Sequence, residues 1–108
     1  MASGDENMLA EFRGKEAALV AALKELVEHL RNNHEGAWLR TLEPALADLQ
    51  ALTSERAPRS SKAQIGSAIR SINRGINDDI ADDVVADLWT RVWDLTWVYQ
   101  EAKYSTID

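Results

Sequence analysis

The sequence predicts an all-α fold, a four-helix bundle in one domain, on three observations. Four stretches repeat apolar residues at the 3–4 spacing of an amphipathic helix, and none sustains the alternation of a half-buried strand. The connections between them are short and carry turn-forming residues. The length, 108 residues, fits a single modest core, with residues 1–7 expected to be disordered.

In the first helix the stripe is Leu9, Phe12, Leu19, Leu23, Leu26 and Leu30, with Val20 and Val27 beside it, ending at Asn32-Asn33. Glu16 falls inside this stripe. Gly14 suggests that the well-formed helix starts near Lys15, which would make Glu16 a first-turn acid favoured by the helix dipole. Were Glu16 buried instead, it would need a cationic partner or a raised pKa. The second helix reads Trp38, Leu42, Leu46 and Leu49, with Leu39 and Leu52 at its sides. Pro44 either kinks it or sits in a first turn capped by Thr41. Residues 53–61, TSERAPRSS, form the linker, from which Ser60 or Ser61 can cap a third helix carrying Ile65, Ala68, Ile69 and Ile72. That helix stops at Asn73-Arg74-Gly75, with Gly75 a left-handed C′ residue. The fourth starts between Asp78 and Asp82 and runs to about Lys103.

Composition narrows the function classes. There is no cysteine, which removes disulfides, thiolate metal sites and cysteine nucleophiles. No apolar run is long enough to span a membrane, and the first twenty residues lack a signal peptide's pattern, so a cytoplasmic location is expected. The net charge is −6, which argues against a nucleic-acid partner. All of that charge lies in residues 75–108, with eight acids and two bases; residues 1–74 hold ten of each. Residues 56–74 carry five bases and no acid. Either the basic and acidic segments neutralise one another across a helix contact, or the acidic end faces a basic partner.

The fourth helix is apolar more than half-way round. At about 100° per residue, Val84, Leu88, Val92, Leu95, Tyr99 and Ala102 share one arc, and Trp89, Trp93 and Trp97 share the next. Each tryptophan carries on the order of 150–250 Å², so three left open would match or exceed a monomer's usual largest apolar patch, about 300–600 Å². The tryptophan stripe is therefore either core or a surface for a partner. In the second case Val84, Leu88, Val92 and Leu95 hold the helix in the bundle, and Trp93 is the anchor. Asp87, Asp94 and Glu101 then meet a basic surface. If the stripe is core, the interface moves to Asp78–Asp83 or to the basic segment from Arg56 to Arg74.

Candidate chemistry is sparse. Asp78, Asp79, Asp82 and Asp83 form the densest acidic cluster, which suits helix capping and partner contact and could hold magnesium. The cluster resembles the aspartate-rich motif of isoprenoid synthases, but the chain is too short for that fold. Glu25 and Glu28, with Asp79 and Asp82, resemble in spacing the paired acids of MazG-type nucleotide pyrophosphohydrolases, which bind magnesium. The gap between the pairs is longer here, both acids of the second pair are aspartates, and the wheel turns Glu25 and Glu28 toward solvent. His29 and His34 read as solvated. No nucleophile–base constellation, phosphate loop or dinucleotide fingerprint occurs. No catalytic residue, metal or cofactor is therefore expected.

Residues 69–80, IRSINRGINDDI, followed by a C-terminal amphipathic helix, resemble small bacterial helical proteins of the immunity kind, over residues 69–103. The turn of that family is richer in glycine than this one, which has Gly75 alone. The resemblance implies a non-enzymatic antitoxin that binds and blocks a toxin domain. Together with the charge distribution, it makes the expected function a protein-interaction module. Its surface would be Trp89, Trp93, Trp97, Asp87, Asp94 and Glu101 with the Asp78–Asp83 cluster, and its partner a basic toxin domain. Self-association as a homodimer through the same stripe is the other use of such a face.

Overall fold

A computed structural model of the protein describes residues 3–33, 38–71 and 82–105. They form α1 (Ser3–Asn33), α2 (Leu39–Ser54), α3 (Arg59–Ser71) and α4 (Asp83–Thr96). Two 3₁₀ turns follow, Trp97–Gln100 and Ala102–Tyr104, and no strand occurs among the described residues. The helices form a ring. α1 packs on α2 and α4, α3 packs on the same two, and α1 and α3 lie on one diagonal. α1 spans about 46 Å at 1.5 Å per residue, which accounts for the 51 Å long axis of the molecule.

α1 starts at Ser3, well before Lys15 and inside the segment 1–7 expected to be disordered. Its stripe is buried from Phe12 through Leu19, Leu23, Leu26, Val27 and Leu30, while Leu9, expected in the core, is exposed. Glu16 is consequently not a first-turn acid. It lies deep in α1 and is 6 % exposed. Lys62 of α3, also 6 % exposed, puts its Nζ 2.9 Å from Glu16 Oε2, and the Tyr99 hydroxyl donates to the same oxygen at 3.0 Å. The Lys62 ammonium also lies 5.9 Å from the Phe12 ring centroid, within cation–π range. This is the cationic partner that a buried glutamate requires, and it ties the α1–α3 diagonal through the core.

Tyr99 carries a consequence for alkaline pH. Burial, with the Glu16 carboxylate beside it, raises the phenol's pKa far above its usual value near 10. The unfolded chain therefore loses this proton first. Stability is unaffected by Tyr99 below pH ~10 and falls as pH rises beyond it. Denaturant unfolding followed against pH should show a shallower alkaline decline for Tyr99→Phe than for the wild type. An unchanged slope would exclude this assignment.

α2 contains Pro44 in its second turn. Proline removes one hydrogen bond of the helix there, while Leu42 and Leu49, on either side, are fully buried. Its N-cap is Trp38, not Thr41: the Thr41 and Leu42 N–H groups both donate to the Trp38 carbonyl. The linker is shorter than expected, since α2 continues to Ser54 and α3 begins at Arg59. Ser60 and Ser61 are inside α3, and the Pro58 carbonyl accepts from Ser61 and Lys62. α2 ends in a Schellman arrangement, with Ala57 N–H donating to the Leu52 carbonyl and Arg56 N–H to that of Thr53. Arg56 occupies the left-handed C′ position, φ 56°, where glycine is usual. Gly66 of α3 meets the α4 end closely: a Cβ there would lie 3.4 Å from the Thr96 carbonyl oxygen. The expected stop of α3 at Asn73-Arg74-Gly75 lies outside the described residues.

Candidate protein-interaction face

Asp82 starts α4. Its carboxylate accepts from Val84 N–H at 2.9 Å and Val85 N–H at 3.4 Å, and its other oxygen lies 2.8 Å from His29 Nε2. The capping role expected for this acid holds. His29, expected to be solvated, is instead half-buried against it, so the C-terminal end of α1 fixes the start of α4. Asp83 is exposed in the first turn, where its charge favours the helix dipole. Asp78, Asp79, Gly75 and His34 lie outside the described residues. Glu25 and Glu28 are exposed, as the wheel placed them, and no group of three potential metal ligands occurs among the described residues.

The buried stripe of α4 is Val85, Trp89, Val92 and Thr96. This is rotated by about 70° from the arc of Val84, Leu88, Val92 and Leu95 that the sequence assigned to the core. Val84 is 49 % exposed, and Leu88 and Leu95 are only partly covered. Trp89, expected on the outer stripe, is 1 % exposed and belongs to the core. The rotation places Trp89, with Val85, Val92 and Thr96, on the side of α4 that meets its neighbours α1 and α3.

The three tryptophans therefore part company. Trp93 is half-buried against the core, and Trp97 is 42 % exposed. Their rings meet edge to face, centroids 6.0 Å apart. The Arg70 guanidinium of α3 stacks on the Trp97 ring at 3.9 Å and donates to the Thr96 carbonyl at 3.2 Å. Burial lowers the pKa of Arg70, though the group remains charged at neutral pH. An exposed tryptophan braced on one side by an indole and on another by a guanidinium loses little rotamer freedom on meeting a partner.

The α-helix ends at Thr96 rather than near Lys103, and Glu101, in extended conformation, turns the chain back toward α1. This breaks the helical wheel and moves Glu101 off the outer face. Its carboxylate pairs with Lys15 of α1 at 3.2 Å and lies 3.8 Å from Lys103. Lys103 also pairs with Glu11 at 3.0 Å, which raises the lysine's pKa and lowers the glutamate's. Asp87 and Asp94 remain exposed and form no ion pair among the described residues.

The basic and acidic segments do not neutralise one another among the described residues. Arg59 donates to the Tyr99 and Ser105 carbonyls, Arg70 to that of Thr96, and Lys62 pairs with Glu16 of α1. Two cations of α3, Arg59 and Arg70, meet carbonyls and the third, Lys62, meets a carboxylate of α1, while Asp83, Asp87 and Asp94 of α4 are exposed. Sequence reasoning missed the Arg70–Trp97 stack and the Lys62–Glu16 pair. Only the second had a signal, a glutamate between Phe12 and Leu19 of an apolar stripe. Among the described residues, no helix is long and apolar enough to cross a membrane. Comparison with family models, curated proteins and solved structures gives no match.

Proposed function

We propose that this protein is an interaction module of the immunity kind, which binds and blocks a basic toxin domain through the outer face of α4. The observation that supports it is the placement of Trp97, exposed and braced by Trp93 and Arg70, at the end of the helix that carries Asp87 and Asp94, both exposed and without an ion pair among the described residues. An aromatic anchor supplies affinity when desolvated, and carboxylates around it raise the association rate toward a basic partner. Charge complementarity favours such a partner over a second copy of the chain, whose own α4 would bring like charges together.

The test is the reading frame adjoining this protein's gene. Its product, expressed alone, should arrest growth, and co-expression of this protein should restore it. In calorimetry on the purified pair, Trp97→Ala should cost about 2 kcal/mol or more in binding. Asp87→Asn with Asp94→Asn should slow association and weaken its salt dependence. Because Trp97 is largely outside the core, its truncation should lower stability by much less than it lowers affinity. A non-toxic neighbour that does not bind, or a Trp97→Ala variant that protects as well as the wild type, would refute the assignment.

A further inference from the structure

The corner where α2 ends and α3 begins gathers four cations, Arg13, Arg56, Arg59 and Lys62, of which only Lys62 has an ion pair among the described residues. A cavity of about 40 Å³ lies there, walled by Phe12, Arg13, Glu16, Arg56, Arg59 and Lys62. Lys62 is matched by Glu16. Arg13 and Arg56 have no ion pair among the described residues, although Glu55 is Arg56's chain neighbour. The Arg59 Nε is buried from water and has no hydrogen-bond partner among the described residues, while its terminal nitrogens donate to the Tyr99 and Ser105 carbonyls.

Two further features point the same way. The cavity adjoins the N-terminus of α3, whose first turn holds no acid and is ringed by Arg56, Arg59 and Lys62. Cations at the positive end of a helix dipole are unfavourable, and an anion relieves both at once. Arg56 also stands in the left-handed C′ position, φ 56°, where glycine is less strained than any residue with a Cβ.

Arg13, Glu16 and Thr53 are shared between this cavity and a wider groove of about 500 Å³ along α1 and α2. That volume falls within the range of small-molecule sites, about 300–1,000 Å³. Ala17, Val20 and Ala21 give the groove an apolar wall, and Lys24 closes its far end. We infer that this corner is a binding site for a small organic oxyanion, a phosphate monoester or a carboxylate. Its charged group meets Arg13, Arg56 and Arg59, and its apolar body lies along Ala17, Val20 and Ala21. Glu16 does not oppose the anion, because one of its oxygens is already held by both Lys62 and Tyr99. This site is separate from the outer face of α4 and does not depend on that reading.

The experiment titrates the full-length protein with phenyl phosphate, inorganic phosphate and benzoate, at ionic strength held constant with sodium chloride. Calorimetry and melting temperature are the readouts. Phenyl phosphate should bind about tenfold more tightly than inorganic phosphate, because only the ester reaches the apolar wall. Benzoate in place of phenyl phosphate as the tighter organic ligand would assign the site to carboxylates, and the reverse order to phosphate monoesters. Arg13→Ala and Arg56→Gly should each weaken binding about tenfold, the effect of losing one charge-assisted contact. Arg56→Gly should leave the ligand-free melting temperature equal or a few degrees higher, since glycine suits the C′ position, so its loss of binding is not a folding defect. No heat from any of the three up to about 10 mM would overturn the site, as would binding unchanged when Arg13 and Arg56 are replaced together.

Discussion

Trp89→Ala is expected to lower the unfolding free energy by about 3–5 kcal/mol, the range for large aromatic side chains removed from cores. Trp89 is 1 % exposed and sits among Val85, Val92 and Thr96 on the face of α4 that meets its neighbours. α4 has its most extensive packing with α1, so a void at this position loosens the largest interface in the bundle. A domain of this size has about 5–15 kcal/mol in total, so the variant should melt on the order of 15 °C or more below the wild type. Trp97→Ala serves as the control, because Trp97 is 42 % exposed and its loss leaves no core cavity. Thermal and urea unfolding of the two variants, monitored by circular dichroism, checks the assignment. Equal melting temperatures would mean that α4 does not lie in the register described.

Lys62→Ala should be the second severe change, costing about 3–5 kcal/mol, because it strands the buried Glu16 carboxylate with only the Tyr99 hydroxyl. Glu16→Leu should be similarly costly, for it leaves the Lys62 ammonium buried beside Phe12 with no carboxylate. Replacing both, as Glu16→Leu with Lys62→Met, should recover most of the loss. An apolar pair of similar volume removes both desolvation penalties, and buried ion pairs exchanged in this way are often neutral or stabilising. The two sites are therefore expected to be strongly non-additive, by several times the roughly 0.3–0.5 kcal/mol scatter of independent positions. Urea denaturation of the four-member cycle gives the coupling directly. Additive single effects would show that the pair is not closed in solution. The experiment also separates architecture from binding, since Lys62 walls the cationic cavity while Arg13 and Arg56, more exposed, carry no such structural load.

The surface ion pairs contribute on a smaller scale. Lys15–Glu101, Lys103–Glu11 and Arg31–Glu43 are all partly or largely solvated. Exposed pairs of this kind contribute little to stability, because solvent screens the charges and two long side chains must be ordered. Their role is geometric: the first two hold the turned-back C-terminal segment on α1, so that Tyr99 reaches Glu16. Salt should weaken them without unfolding the bundle.

The helical class and the buried face of the first helix from Phe12 to Leu30 were legible from the sequence, but not where that helix starts. The spacing of Phe12, Leu19, Leu23, Leu26 and Leu30 admits only one buried face, so local pattern and tertiary burial agree there. The cap at Asp82 was equally legible, because an aspartate ahead of an apolar run satisfies free N–H groups whatever the rest of the chain does. The register of α4 was not. Its apolar girdle offers two faces of comparable hydrophobicity, and only the space between α1 and α3 decides that Trp89 is core and Val84 is surface. The same holds for Glu101: the helical wheel set it beside Asp94, and the break after Gln100 turned it onto Lys15. Glu16 marks the boundary between the two kinds of information. Its place in an apolar stripe announced that burial would demand a partner, but nothing local connects it to Lys62, 46 residues away, or to Tyr99, 83 residues away. Periodicity is a property of one helix. Partners across a core, and the cations left over at its corner, follow from how four helices share a volume, which is fixed only when they pack.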